Sequence, residues 1–129
     1  MERSLIILKS DFCKKDLYQE FWDVLKTHHL VVEYDFYVIF ETVDDVKNFY
    51  QWENLWNVEM MVQYWCKEPH CVLVINGENT IQKAAQIKKF FRSKYCNGCH
   101  EMYTLMHCPD TSNNYQREIN FLSSKKLVH

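Results

Sequence analysis

Apolar and polar positions alternate most regularly over residues 30–40. Val32, Tyr34, Phe36, Val38 and Phe40 share one parity there, and Val31, Glu33, Asp35, Tyr37 and Ile39 share the other. Successive side chains of a strand point to opposite faces, so this stretch predicts a long strand with one apolar and one mixed face. Residues 5–8 and 70–75 read as short strands buried on both faces, and 102–106 as a fourth strand. Between the strands the period changes. Leu17, Phe21, Leu25 and His28 recur at helical spacing behind a capping box of Asp16 and Gln19, and the His28-His29 pair ends that helix. Thr42 and Asp45 form a second box ahead of Val46, Phe49 and Tyr50. Trp56, Met60, Met61, Tyr64 and Trp65 then make a stripe whose composition predicts core packing. Asn79 caps a helix with Ile81, Ala84, Ala85, Ile87 and Phe91 on or near its inner face, and residues 93–101 read as a turn. Asp110, Thr111 and Ser112 open a last helix carrying Tyr115, Ile119 and Leu122. The order β-α-β-(two helices)-β-α-β-α predicts an α+β sandwich, with helices over a four-stranded antiparallel sheet, in a single domain over residues 1–129.

Composition narrows the class. Apolar residues make up 47%, with only two glycines and two prolines, which excludes disorder, collagen-like repeats and a linker-rich chain. A net charge of −2 without blocks of like charge gives no case for a nucleic-acid partner, and no run reaches membrane-spanning length. Asp11 and the Lys14-Lys15 pair interrupt the first apolar run too early for a signal peptide. Six cysteines in that setting read as reduced thiols of an intracellular, cytoplasmic protein. Cys96-Asn97-Gly98-Cys99-His100 has the form of a haem attachment pattern, but such attachment needs an oxidising compartment. Two readings stay open for Cys96 and Cys99. They form half of a zinc site completed by His100, His107 or Cys108, or a plain reduced turn, since a second Cys pair is missing.

The candidate chemistry lies near the C-terminus. His107 stands where the last strand ends and the last helix is about to begin, held by a rigid element without being sealed in it. Glu118, about two turns into the helix, is placed to fold back on it. A carboxylate on one ring nitrogen fixes the tautomer and leaves the other nitrogen as base or nucleophile. By spacing alone, the same residues also fit a strand-end histidine beside solvent-facing helix charges.

The order of residues adds to this. His107, Asp110 and Thr111, followed by Arg117-Glu118-Ile119 and Phe121, resemble the C-terminal signature of nucleoside diphosphate kinases. The N-terminal segment 2–11, ending Lys9-Ser10-Asp11, resembles that family's opening strand with its Lys-Pro-Asp. Pro69, the apolar run 72–75 and Gly77-Glu78-Asn79 resemble its Gly-Pro, strand, Gly-x-Asn-Ala segment. The resemblance implies a ferredoxin-like core and ping-pong transfer of a γ-phosphate from a Mg²⁺-bound nucleoside triphosphate through a phosphohistidine. On that pattern Lys9 is the phosphate-binding lysine, His107 the nucleophile and Glu118 its orienting partner.

Other positions depart from the pattern. Asn57 falls where the family stacks a phenylalanine on the base, with Met61 at the neighbouring apolar contact. Phe49 replaces a phosphate-contacting tyrosine, Ala85 an arginine, Phe91 a threonine and Thr104 an asparagine. The segment before the last strand is several residues shorter and lacks the run that supplies a second arginine. A charge-assisted bond to phosphate contributes roughly 1.5–3 kcal/mol and a base stack about 1–3 kcal/mol. These losses together come to roughly 5–10 kcal/mol, several orders of magnitude in catalysis. The expectation is a diverged domain with a degraded nucleotide site, acting as a non-catalytic module that binds other proteins. The resemblance extends to members built into cilia and flagella, so an axonemal place is part of that expectation. Active nucleoside diphosphate kinase chemistry is one alternative, and histidine phosphorylation without efficient nucleotide exchange is another. The shortened segment makes the family's hexamer doubtful, although a smaller oligomer is compatible with it.

Overall fold

A computed structural model describes residues 1–50, 58–96 and 105–127, leaving aside the side chains of 58–61. The elements run β1 (Glu2–Leu8), α1 (Ser10–Cys13), α2 (Tyr18–Thr27), β2 (Val31–Val38), α3 (Val43–Tyr50), α4 (Val58–Lys67), β3 (His70–Gly77), α5 (Thr80–Tyr95), β4 (Met106–His107) and α6 (Ser112–Ser124). The strands form one antiparallel sheet in the order β2-β3-β1-β4. The two apolar runs therefore occupy its middle, where both faces are covered. Leu5, Ile7, Val72 and Val74 face Val46 and Phe49 of α3, Tyr64 and Trp65 of α4, and Ile119 and Leu122 of α6. Ile6, Leu8, Leu73 and Ile75 face Phe12 of α1, Phe21 and Leu25 of α2, and Ala84, Ile87 and Phe91 of α5. The expected α+β sandwich, four antiparallel strands covered by helices, is the observed one.

Local chemistry explains several boundaries. The Thr42–Asp45 box forms: Thr42 Oγ1 accepts from the Asp45 amide at 3.2 Å, and Asp45 Oδ2 accepts from the amides of Thr42 at 3.3 Å and Glu41 at 2.8 Å. Thr111 caps α6 by accepting from the Asn114 amide at 3.0 Å. At the end of α2, His29 takes the left-handed conformation (φ 57°). Its amide and that of Leu30 then return to the carbonyls of Lys26 and Leu25, closing the helix as a glycine usually does.

Four expectations change. The box of Asp16 and Gln19 does not form, because α1 and a tight turn leave Asp16 at φ 46°, outside the extended conformation that a capping residue needs. Asn79 does stand before α5, but at φ 53° its side chain makes no cap; Glu2 Oε1 accepts from the Ile81 amide instead, at 2.8 Å. The pairing of Glu2 with Gly77 carries that carboxylate to the positive end of the helix. Residues 93–95, expected in a turn, continue α5. Finally, β2 does not alternate throughout. Glu33 is an extra residue between the pairs Val32–Ile75 and Tyr34–Val74, so Val32 joins the α2/α5 layer while Phe36 and Val38 join the other. Of the strand expected at 102–106, only Met106 lies within a described element; 102–104 and Trp56 are outside the described residues, as are the side chains of Met60 and Met61.

Candidate functional site

Strand β4 is an edge strand whose pairing fixes the site. His107 lies opposite Ile7 and Met106 opposite Leu8, so His107 shares the face of Ile7, towards α3 and α6. The residue before β4, Leu105, is buried at φ 70°, a conformation that costs a non-glycine residue about 1–2 kcal/mol. It is held by both backbone groups: its carbonyl accepts from the Lys9 amide at 2.9 Å, and its amide donates to Asp11 Oδ2 at 2.9 Å. The Tyr64 hydroxyl donates to the other oxygen of Asp11. One short segment, residues 9–11, thus sets the entry of the strand that carries the histidine.

His107 Nε2 lies 2.7 Å from Glu118 Oε1. The carboxylate accepts, so Nε2 carries the hydrogen and Nδ1 the lone pair; among the described residues nothing hydrogen-bonds Nδ1. The histidine side chain is 22% exposed, whereas that of Glu118 is 5% exposed. Phe49 and Tyr50 at the end of α3 pack edge-on against the imidazole, with centroids at 5.1 and 6.2 Å. Burial pushes the imidazole pKa below its ordinary value against the pull of Glu118, and the nearby cations Lys9 and Lys88 add to the push. At neutral pH the ring is neutral. Arg117 completes this wall, since its guanidinium donates to the Phe49 carbonyl at 2.8 Å at the negative end of α3 and lies 3.8 Å from Glu118 Oε2.

Lys9 is 5% exposed, and its ammonium lies 5.7 and 5.8 Å from the ring centroids of Tyr64 and Trp65. Burial, together with the Arg92 guanidinium, pushes its pKa down to about 8, against the opposing pull of Asp11. Arg92 reaches β4 from α5 and donates to the Met106 carbonyl at 2.7 Å.

The sequence-predicted residues Lys9, His107 and Glu118 therefore meet at one end of the sheet. Cys96 is half-buried at the end of α5, with its amide bonded to the Arg92 carbonyl, and Cys108 is buried. Cys99 and His100 lie outside the described residues. Among the described residues, no group of three or more His, Cys, Asp or Glu side chains is arranged to hold a metal, and no helix is long and apolar enough to cross a membrane.

Neither a protein-family model nor a curated protein sequence matches the chain. Solved structures do. A nucleoside diphosphate kinase from Aquifex aeolicus superposes with a TM-score of 0.74 at 21% identity, over 98% of this chain and 99% of that one. The fold is that of a nucleoside diphosphate kinase. A halophilic nucleoside diphosphate kinase from Halobacterium salinarum, solved with CDP, gives 0.70 at 15% identity over 99% of this chain and 92% of that one. A nucleoside diphosphate kinase family protein from Babesia bovis gives 0.71 at 13% identity, over 100% and 94%.

Within this kinase fold the departures have structural counterparts. Phe91 is fully buried against Phe12 and Phe21, and Ala85 packs on the same layer, so neither offers a polar group to a ligand. Phe49 is buried, and the ring of the next residue, Tyr50, lies edge-on to His107 at 6.2 Å while its hydroxyl accepts from the Trp65 indole N–H at 3.0 Å. Asn57, Thr104 and the side chain of Met61 fall outside the described residues. Sequence reasoning passed over Tyr50, Lys88 and Arg92. The available signal was the pair of basic residues four apart on α5, flanking its buried stripe of Ala84, Ile87 and Phe91.

Proposed function

We propose that this is a histidine phosphotransfer domain of the nucleoside diphosphate kinase fold, in which His107 accepts a phosphoryl group but nucleotide exchange is inefficient. The observation that carries this reading is the 2.7 Å bond from His107 Nε2 to Glu118, which leaves a lone pair on Nδ1 of a partly exposed ring. In the step, the Nδ1 lone pair attacks the γ-phosphorus of a Mg²⁺-bound nucleoside triphosphate. An N–P bond forms, the P–O bond to the β-phosphate breaks, and the nucleoside diphosphate leaves with that electron pair. Nε2 keeps its proton, and the Glu118 carboxylate that accepts it in a hydrogen bond stabilises the positive charge that develops on the ring. The magnesium ion enters as part of the substrate. Lys9 supplies positive charge where negative charge builds up, which is the main requirement in phosphoryl transfer.

The weakness of exchange follows from Ala85 and Phe91, which carry no donor for phosphate, and from Asn57, which replaces a stacking ring in the sequence. ADP with Mg²⁺ is expected to bind no tighter than about millimolar. A second reading, a non-catalytic module that binds other proteins, is favoured by the burial of Glu118, because the bond then serves to pin β4 to α6.

Incubation with γ-labelled ATP and Mg²⁺, followed by detection of acid-labile label, decides between them when paired with denaturation of His107→Ala. Label lost in the variant, with a stability change under about 1 kcal/mol, fits the phosphotransfer reading. Absence of label from the wild type, with a loss of about 1–3 kcal/mol in the variant, would leave only the structural module.

A further inference from the structure

The Glu118 carboxylate uses one oxygen on His107, and its other oxygen has a neighbour on the same helix. Oε1 lies 2.7 Å from His107 Nε2, and Oε2 lies 3.8 Å from the guanidinium of Arg117. Helix geometry alone does not bring these two side chains together, because adjacent residues on a helix do not face each other. The guanidinium is drawn across by α3. Its Nη1 donates to the Phe49 carbonyl at 2.8 Å and to the Asn48 carbonyl at 3.3 Å. These carbonyls belong to the last turn of α3, where a helix leaves its acceptors without internal partners and favours a cation. Phe49 and Tyr50 of the same turn pack their rings edge-on against the imidazole. Arg117 therefore joins the two sides from which His107 is held, the carboxylate on Nε2 and the aromatic wall. The start of α3 is held separately: Lys125, just beyond α6, meets Asp45 Oδ1 at 2.8 Å, at the opposite end of the helix from that wall.

The charged and titratable groups around His107 are Lys9 from β1, Lys88 from α5, Tyr50 from α3, and Glu118 and Arg117 from α6. A cation beside a carboxylate offsets part of its negative charge. Arg117 thus weakens the pull of Glu118 for a second proton on the ring, and Nδ1 keeps its lone pair.

We propose that Arg117 is a positioning residue for His107: it locks the Glu118 carboxylate and the end of α3 together around the imidazole and keeps the Nδ1 lone pair free for phosphorus. This deepens the phosphotransfer reading and rests on it for the reaction alone, since the positioning can be read without a substrate.

Nitrogen NMR of the isotope-labelled full chain, with His107→Ala to assign the signal, follows the tautomer and titration of this ring. The wild type is expected to be neutral at pH 7 with its hydrogen on Nε2. Arg117→Gln keeps an N–H donor for the Phe49 carbonyl and removes the charge. It should raise the His107 pKa by about 0.5 or more, and slow labelling by γ-labelled ATP about tenfold through the loosened carboxylate. Arg117→Lys, which keeps the charge, should restore most of both. Lys125→Gln, which loosens α3 at its other end, should leave both unchanged even where it lowers stability as much as Arg117→Gln does. The Arg117 side chain is 28% exposed, so its variants are expected to fold. A wild-type titration in Arg117→Gln, no recovery in Arg117→Lys, or an equal change in Lys125→Gln would each overturn the positioning role. A raised pKa in Arg117→Gln of a protein that takes no label would refute the phosphotransfer reading and leave the positioning standing. Label formed at equal rates by the wild type and Arg117→Gln would keep that reading and overturn the positioning.

Discussion

Replacing Lys9 by methionine should make the unliganded protein more stable at neutral pH. The ammonium is 5% exposed, and burial with nearby Arg92 lowers its pKa from 10.5 to about 8. At about 1.4 kcal/mol per pH unit, that difference of 2.5 corresponds to about 3 kcal/mol opposing the folded state wherever the lysine is charged in both states. Methionine keeps the apolar stem and removes the charge. It also forgoes the contacts with Tyr64 and Trp65, worth about 1 kcal/mol. The expected net gain is about 2 kcal/mol at pH 7. Its pH dependence identifies the cause. Between pH 8 and 10.5 the unfolded chain still holds the proton that folded Lys9 has lost, so this residue's contribution to stability rises with pH and its penalty vanishes near 10.5. Buried tyrosines and cysteines with raised pKa values, such as Cys71 at about 12, act in the opposite direction but are common to both proteins. Denaturant unfolding of the wild type and Lys9→Met from pH 7 to 10 should therefore show the variant's advantage shrinking as pH rises. A variant less stable at pH 7, or a difference constant across the range, would refute the assignment of Lys9 as a charge held at a cost for a ligand.

Two further outcomes are expected. Gly77→Ala would place a Cβ 2.8 Å from Leu30 Cδ2 and 3.1 Å from the His29 carbonyl, in the turn that closes α2, and should lose about 1–3 kcal/mol; an unchanged denaturation midpoint would contradict that close approach. The protein as purified should hold no stoichiometric zinc, and chelator should leave its Tm unchanged, whereas one zinc per chain lost together with stability in Cys96→Ser would establish a metal knuckle.

Much of the fold was legible because burial imposes a visible pattern. The central strands are apolar throughout, and the Thr42–Asp45 box and the Thr111 cap act over three residues, within reach of local reasoning. The approach of Glu118 to His107 was also legible, since a strand end followed by a short turn and a helix leaves few other directions. What escaped depended on distant parts of the chain. Glu2 displaces Asn79 as the cap of α5 because β1 pairs with β3, a fact no window around residue 79 contains. Lys88 and Arg92 look like ordinary solvent-facing charges until β4 is laid against β1. Asp16 met the compositional rule for a cap but not the backbone one, because α1 had already turned the chain.

The extra residue in β2 bears on how the chain avoids folding in the wrong alignment. Sliding either half of that strand by one position to erase the irregularity would expose Val32 or, alternatively, Phe36 and Val38. Glu33 also binds Asn76 of β3 at 2.6 Å and Arg3 of β1 at 3.0 Å, tying three neighbouring strands at the level of the inserted residue. A slipped sheet would lose this clasp along with its core contacts. The kink further bends an edge strand that carries exposed Val31, Tyr34 and Tyr37, which hinders open-ended stacking of strands from other molecules. One inserted residue thus serves twice at the edge of the sheet opposite His107, its carboxylate as alignment pin and its backbone irregularity as a guard against aggregation.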